Sequence, residues 1–129
     1  MHDTAPTLLS IIELGGYPDF TPLYQRCGFK VTTVTTPRKA IAAIKKRPPD
    51  VLVAEFNYQS DFRDRTSTLE SMLATLERYA NTKAIVFYEQ DTRHQLDKLL
   101  QQFSVFRVMA YPIDEAELES AVREALGDG

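Results

Sequence analysis

Five short apolar runs, each followed by a stretch of helical spacing, leave few folds open to this chain. Thr7–Leu14 (TLLSIIEL), Phe29–Thr35 (FKVTTVT), Asp50–Phe56 (DVLVAEF), Lys83–Glu89 (KAIVFYE) and Val105–Tyr111 (VFRVMAY) read as β-strands. The first, third and fourth are nearly continuously apolar, as strands covered on both faces should be. The second alternates more, which suits an edge. Strands that alternate with helices form a parallel sheet with crossover helices. Right-handed crossovers then favour a flavodoxin-like (βα)5 doubly wound sheet of strand order 2-1-3-4-5, in which the ends of strands 1 and 3 adjoin. The 129 residues suit one domain spanning residues 1–129.

The helices carry their own boundary signals. Asp19 is placed to cap the first, with Pro22 in its first turn and Gly28 beyond its end. Phe20, Leu23, Tyr24 and Cys27 then share one face. Thr36 and Pro37 open the second helix, whose last turn carries Lys45, Lys46 and Arg47 against the negative end of the helix dipole. A capping box, Ser67 with Glu70, precedes the stripe Leu69, Met72, Leu73 and Leu76. The last two helices are expected to start at Asp91 and Asp114, with stripes Leu96-Leu99-Leu100-Phe103 and Leu118-Val122-Leu126.

Composition excludes little but points one way. A hydrophobic share of 43%, a charged share of 26% and a net charge of −3 describe an ordinary globular chain, without the basic balance of a nucleic-acid binder. With a single cysteine, Cys27, no internal disulfide can form. No apolar run approaches the roughly 18 residues of a membrane span, and the start, MHDTAPTLL, has no targeting pattern. The expectation is a cytoplasmic protein with no membrane or nucleic-acid partner.

The strand ends hold the chemistry-bearing residues. PDVLVAE delivers Glu55 to the end of the third strand, IIELGG places Glu13 at the end of the first, IVFYE puts Tyr88 at the end of the fourth, and MAYPI puts Tyr111-Pro112 after the fifth. In this arrangement, with DEAELESAVREAL as final helix, nearly the whole chain resembles the receiver domain of bacterial response regulators. The resemblance implies that Glu55 occupies the phosphoacceptor position, normally an aspartate. It further implies that Glu13 matches one acid of the family's metal-binding pair while Leu14 replaces the other, and that Asn57 is the residue lending a carbonyl to magnesium. Tyr88 stands at the position of a small hydroxyl residue, Tyr111 at that of the lysine before Pro112, and Val108 at that of the aromatic switch.

These departures are expected to disable the reaction the family performs. Phosphoryl transfer to a carboxylate needs an in-line nucleophile, a cation held by several oxygens, and donors on the moving phosphoryl oxygens. Glu55 pushes its carboxylate about 1–1.5 Å further out than aspartate would, a displacement worth about a hundredfold. Leu14 deletes an oxygen ligand from a hard cation, and Tyr111 removes the phosphate's positive partner. The expectation is a stand-alone pseudo-receiver that binds other proteins independently of phosphorylation, with no catalytic residue, metal or cofactor. The alternative is a phosphoaccepting receiver with Glu55 as acceptor, or as a constitutive mimic of the phosphorylated form. Mimicry is the weaker of these, because the large residue Tyr88 and the small residue Val108 exchange the family's sizes and leave no empty slot to move into. Glu13 and Glu55, if within about 4–6 Å of each other, would raise each other's pKa, unless Arg63 or Arg65 neutralises them; solvated strand-end charges are the competing reading.

Other features have bland readings. Gly15-Gly16 suits a tight turn better than an anion nest, and His2 and His94 lack companions at metal spacing. Cys27 reads as a small buried hydrophobe. Arg38, Lys39, Lys45, Lys46 and Arg47 suit a solvated helix face, or contact with an acidic partner or a phosphate backbone. The loop Asn57–Ser67 sets Tyr58 and Phe62 beside Arg63 and Arg65, a composition found at protein contacts, and could equally cover the degenerate pocket. Partner contact is expected there and across Arg93–Leu126, the face that in the family forms dimers; the partner could be a histidine kinase, an output protein or a second copy.

Overall fold

The computed structural model describes residues 5–12, 19–56, 65–79 and 81–127, with the side chains of 65–68 and 79 outside that description. Strands β1 (Thr7–Ile11), β2 (Lys30–Val34), β3 (Val51–Glu55), β4 (Lys83–Tyr88) and β5 (Arg107–Ala110) alternate with helices α1 (Thr21–Arg26), α2 (Pro37–Lys46), α3 (Arg65–Tyr79), α4 (Arg93–Leu100) and α5 (Glu115–Ala125). All strand pairs are parallel, in the order β2-β1-β3-β4-β5. The flavodoxin-like fold expected from periodicity is therefore observed.

Parity along the strands assigns each side chain to one of two core layers. Leu9, Ile11, Leu52, Ala54 and Val86 pack with α2, α3 and α4 through Ile44, Met72, Leu73 and Leu96. Leu8, Val51, Val53, Ile85, Phe87 and Met109 pack with α1 and α5 through Leu23, Tyr24, Leu118 and Val122. Burial of each such aliphatic side chain contributes on the order of 1.5–3 kcal/mol, and β3, in the middle, is buried along its apolar length. Lying at one edge, β2 leaves Lys30, Thr32 and Thr33 exposed.

Capping follows local chemistry, with three corrections to the sequence reading. Thr36 caps α2, its hydroxyl accepting from the Lys39 amide at 3.2 Å, and Asp114 caps α5, accepting from the Ala116 amide at 3.1 Å. Asp19, in contrast, is not the cap of α1. That position is Phe20, and the Asp19 carboxylate closes a turn one residue earlier by accepting from the Thr21 amide and hydroxyl. Ser67 does not open α3, which already runs from Arg65. Asp91 lies in a 3-10 turn, Gln90–Thr92, ahead of α4. The Thr92 hydroxyl donates to the Glu89 carbonyl at 2.8 Å, tightening that turn so that α-helical geometry begins at Arg93.

The opposite rim of the sheet is tied by Asp50. Its carboxylate accepts from the Thr7 amide at 2.8 Å while its own amide donates to the Thr7 carbonyl at 3.0 Å. These bonds set β1 against β3 in a register that pairs Leu9 with Leu52 and Ser10 with Val53. The carboxyl ends of the two strands thus emerge side by side, at the switch point of the strand order.

Candidate functional site

Glu55 is the last residue of β3 and is half-buried. By strand parity it belongs to the α1/α5 face, following Val51 and Val53, and in register it sits beside Phe87 of β4. The cavity it enters is walled by Ser10 and Ile12 from β1 and its exit, Phe20 and Tyr24 from α1, and Phe87. It holds about 10 Å³, space for a single water centre at most. Sequence reading had placed Phe20 and Tyr24 on the buried face of α1, without showing that this face abuts Glu55.

Aromatic rings close the site from the side. Phe20 meets Phe87 edge-on at 6.0 Å between centroids, and Phe87 meets Tyr111 edge-on at 5.9 Å. Offset and edge-on geometries are those that ring quadrupoles favour. The Tyr111 amide donates to the Tyr88 carbonyl at 2.9 Å, which holds the chain beyond β5 against β4, and the Tyr111–Pro112 bond is cis. Burial first, and the negative charge of Asp19 second, hold the Tyr24 phenol far above its ordinary range, so it is neutral.

Tyr88 and Val108 lie on the other face of the sheet, packed against the α2/α3/α4 layer. The Tyr88 hydroxyl accepts from Arg93 Nη1 at 2.9 Å, and the guanidinium also stands 5.3 Å from the centre of the Tyr88 ring. Arg93 Nε donates to Asp97 one turn along α4 at 2.8 Å. The bond to Tyr88 first, and that to Asp97 second, stabilise the charged guanidinium and raise its pKa. Arg93 was missed in the sequence as a site residue. A tyrosine ending a strand with an arginine five residues on, in the first turn of the next helix, is the signal that could have found it.

The residues expected at the site therefore divide. Glu55 and Tyr111 lie on the α1/α5 side, joined through Phe87, while Tyr88 and Val108 lie on the α4 side. Glu13, Asn57, Tyr58, Phe62 and Arg63 fall outside the described residues, as do Gly15 and Gly16. Arg65 begins α3, with its side chain outside the description. Among the described residues Glu55 is the sole carboxylate lining the cavity, and no three His, Cys, Asp or Glu side chains come together as a metal-binding group. Glu55 is therefore the one described carboxylate there that a hard cation such as magnesium, with its near-octahedral oxygen coordination, could use. No helix among the described residues is long and apolar enough to cross a membrane.

Solved structures give the architecture its setting. A response regulator receiver domain protein from Clostridium thermocellum superposes with a TM-score of 0.73 at 12% identity, over 95% of both chains. The fold is that of receiver domains. A CheY-like receiver domain from Methylobacillus flagellatus matches with a TM-score of 0.69 at 19% identity, over 95% of this chain and 99% of that one. NtrX from Brucella abortus, solved in complex with ATP, matches with a TM-score of 0.75 at 14% identity; 97% of this chain covers 28% of that longer protein. No family model matches the sequence, and no curated protein is similar to it in sequence. At such identities the receiver fold persists while its chemistry is free to differ, which makes the side chains at the strand ends decisive.

Proposed function

We propose that this chain is a pseudo-receiver: a two-component-type signalling module that binds other proteins and takes no phosphate at Glu55. The observation that supports the reading is the setting of Glu55, half-buried beside Phe20, Tyr24 and Phe87 and the one described carboxylate at a cavity of about 10 Å³. A phosphoryl group with a hydrated dication needs several times that space and more oxygens. Tyr111 at the lysine position brings no cation, so a developing phosphoryl charge would meet aromatic walls. The Tyr88 hydroxyl, engaged by Arg93 on the opposite side of the sheet, supports a locked switch over a constitutive mimic. The module is a single domain, cytoplasmic, without enzymatic activity or cofactor. Its partner is a histidine kinase or an output protein, met across Arg93–Leu126 or the loop Asn57–Ser67.

Incubation with acetyl phosphate and magnesium, followed by intact-mass spectrometry under conditions that retain acyl phosphates, tests the reading. The expected spectrum is unchanged. A gain of one phosphoryl group that disappears in Glu55→Gln would establish the phosphoaccepting alternative.

A further inference from the structure

Charge is unevenly distributed along this chain. Phe29–Pro49 carries six cations, Lys30, Arg38, Lys39, Lys45, Lys46 and Arg47, and no carboxylate; since the whole chain sums to −3, the remainder carries −9. The fold gathers three of those cations around one groove. Between α2 and the edge strand β2 lies a depression of about 580 Å³ whose walls include Leu9, Ala43 and Pro49 and whose rim holds Lys30, Lys46 and Arg47. Among the described residues no carboxylate lines it. All three cations are exposed, and among the described residues none of them has an ion-pair partner. Asp50, the nearest acid in sequence, is committed to the Thr7 amide instead.

We infer that the groove between β2 and the C-terminal half of α2 docks an extended acidic segment of a partner protein. The walls are apolar and the rim is cationic, which complements an extended peptide whose aliphatic and carboxylate side chains alternate from one face to the other. Beside the groove, β2 has no strand on its outer side among the described residues, so backbone partners are at hand. Nucleic acid fits less well. A polyanion longer than the groove meets the surplus negative charge of the rest of the surface within a Debye length of about 8–10 Å. The inference stands whether or not Glu55 takes phosphate, because the groove lies at the opposite end of β1 and β2 from that residue.

The probe is a capped decapeptide of alternating valine and glutamate, titrated into the full chain while amide nitrogen–proton correlation spectra are recorded. Saturable shifts are expected at Lys30–Thr32 and Ala43–Arg47. Affinity should fall roughly tenfold or more in the combined Lys30→Gln, Lys46→Gln, Arg47→Gln variant and stay unchanged in Lys98→Gln, as loss of the groove's charge pairing requires. All four side chains are exposed, and unaltered spectra of the free variants verify the fold. Equal binding of a valine–glutamine peptide, or shifts centred elsewhere, would overturn the inference. So would tighter binding of a single-stranded oligonucleotide at the same amides, which would assign the groove to nucleic acid. Sedimentation showing a wild-type dimer that the triple variant dissolves would assign it to a second copy.

Discussion

At the residue scale, the contact with the sharpest consequence is Arg93 on Tyr88. An exposed guanidinium over a ring contributes about 0.5–1 kcal/mol, and an exposed pair of the Arg93–Asp97 kind about 0.3–0.5 kcal/mol. Arg93→Ala should therefore cost about 1 kcal/mol in urea unfolding, and Asp97→Ala less than half of that. Because the two residues act together, Tyr88→Phe should destabilise the wild-type chain but add little in the Arg93→Ala background. Fully additive losses would mean that Arg93 acts through something other than the Tyr88 hydroxyl. Tyr88 itself was legible in the sequence, since it ends an apolar run. Its orientation was not, because which face a strand residue takes depends on the register with neighbouring strands: only the pairing of Glu55 with Phe87 puts Tyr88 across the sheet from Glu55.

At the scale of elements, the strands and helical stripes were readable because burial imposes a period on the side chains. Leu69, Met72, Leu73 and Leu76 are buried as spacing required, and the alternating β2 run is indeed the edge. The ends of helices were less readable. Asp19, Ser67 and Asp91 all have capping chemistry, yet a turn closed by Asp19, an earlier start of α3 and a 3-10 turn before α4 displaced each of them. Contacts between helices lay beyond sequence reading altogether. Glu119 on α5 bridges Arg26 of α1 at 3.3 Å and Arg123 at 3.0 Å. Hydrogen bonds from Arg123 first and Arg26 second hold its carboxyl below the usual range. A folded-state pKa below the unfolded one adds stability that is present above the unfolded value, about 4.3, and is lost as pH falls through the folded value. The melting temperature of Glu119→Gln should thus lie below that of the wild type at neutral pH, and the gap should close in acid. A gap that is the same at both pH values would assign the loss to packing.

For the whole molecule, fold and chemistry rest on different residues. The two apolar layers are enough to specify the receiver architecture, which is why structures only 12–19% identical superpose over nearly the full chain. Five apolar runs in the right rhythm made that architecture legible. The candidate site was half legible: Glu55 and Tyr111 stood out by position, whereas Phe20, Tyr24 and Phe87 became its walls only through tertiary packing that no local pattern encodes. The central claim is that Glu55 is enclosed away from phosphate chemistry. Beryllofluoride with magnesium tests it most directly, because the adduct imitates an acyl phosphate without hydrolysing and so reads the site rather than a product's lifetime. In fluorine NMR the account predicts free beryllofluoride signals alone, and no amide shifts at Glu55, Tyr88 or Tyr111. A bound fluorine resonance that vanishes in Glu55→Gln would contradict it.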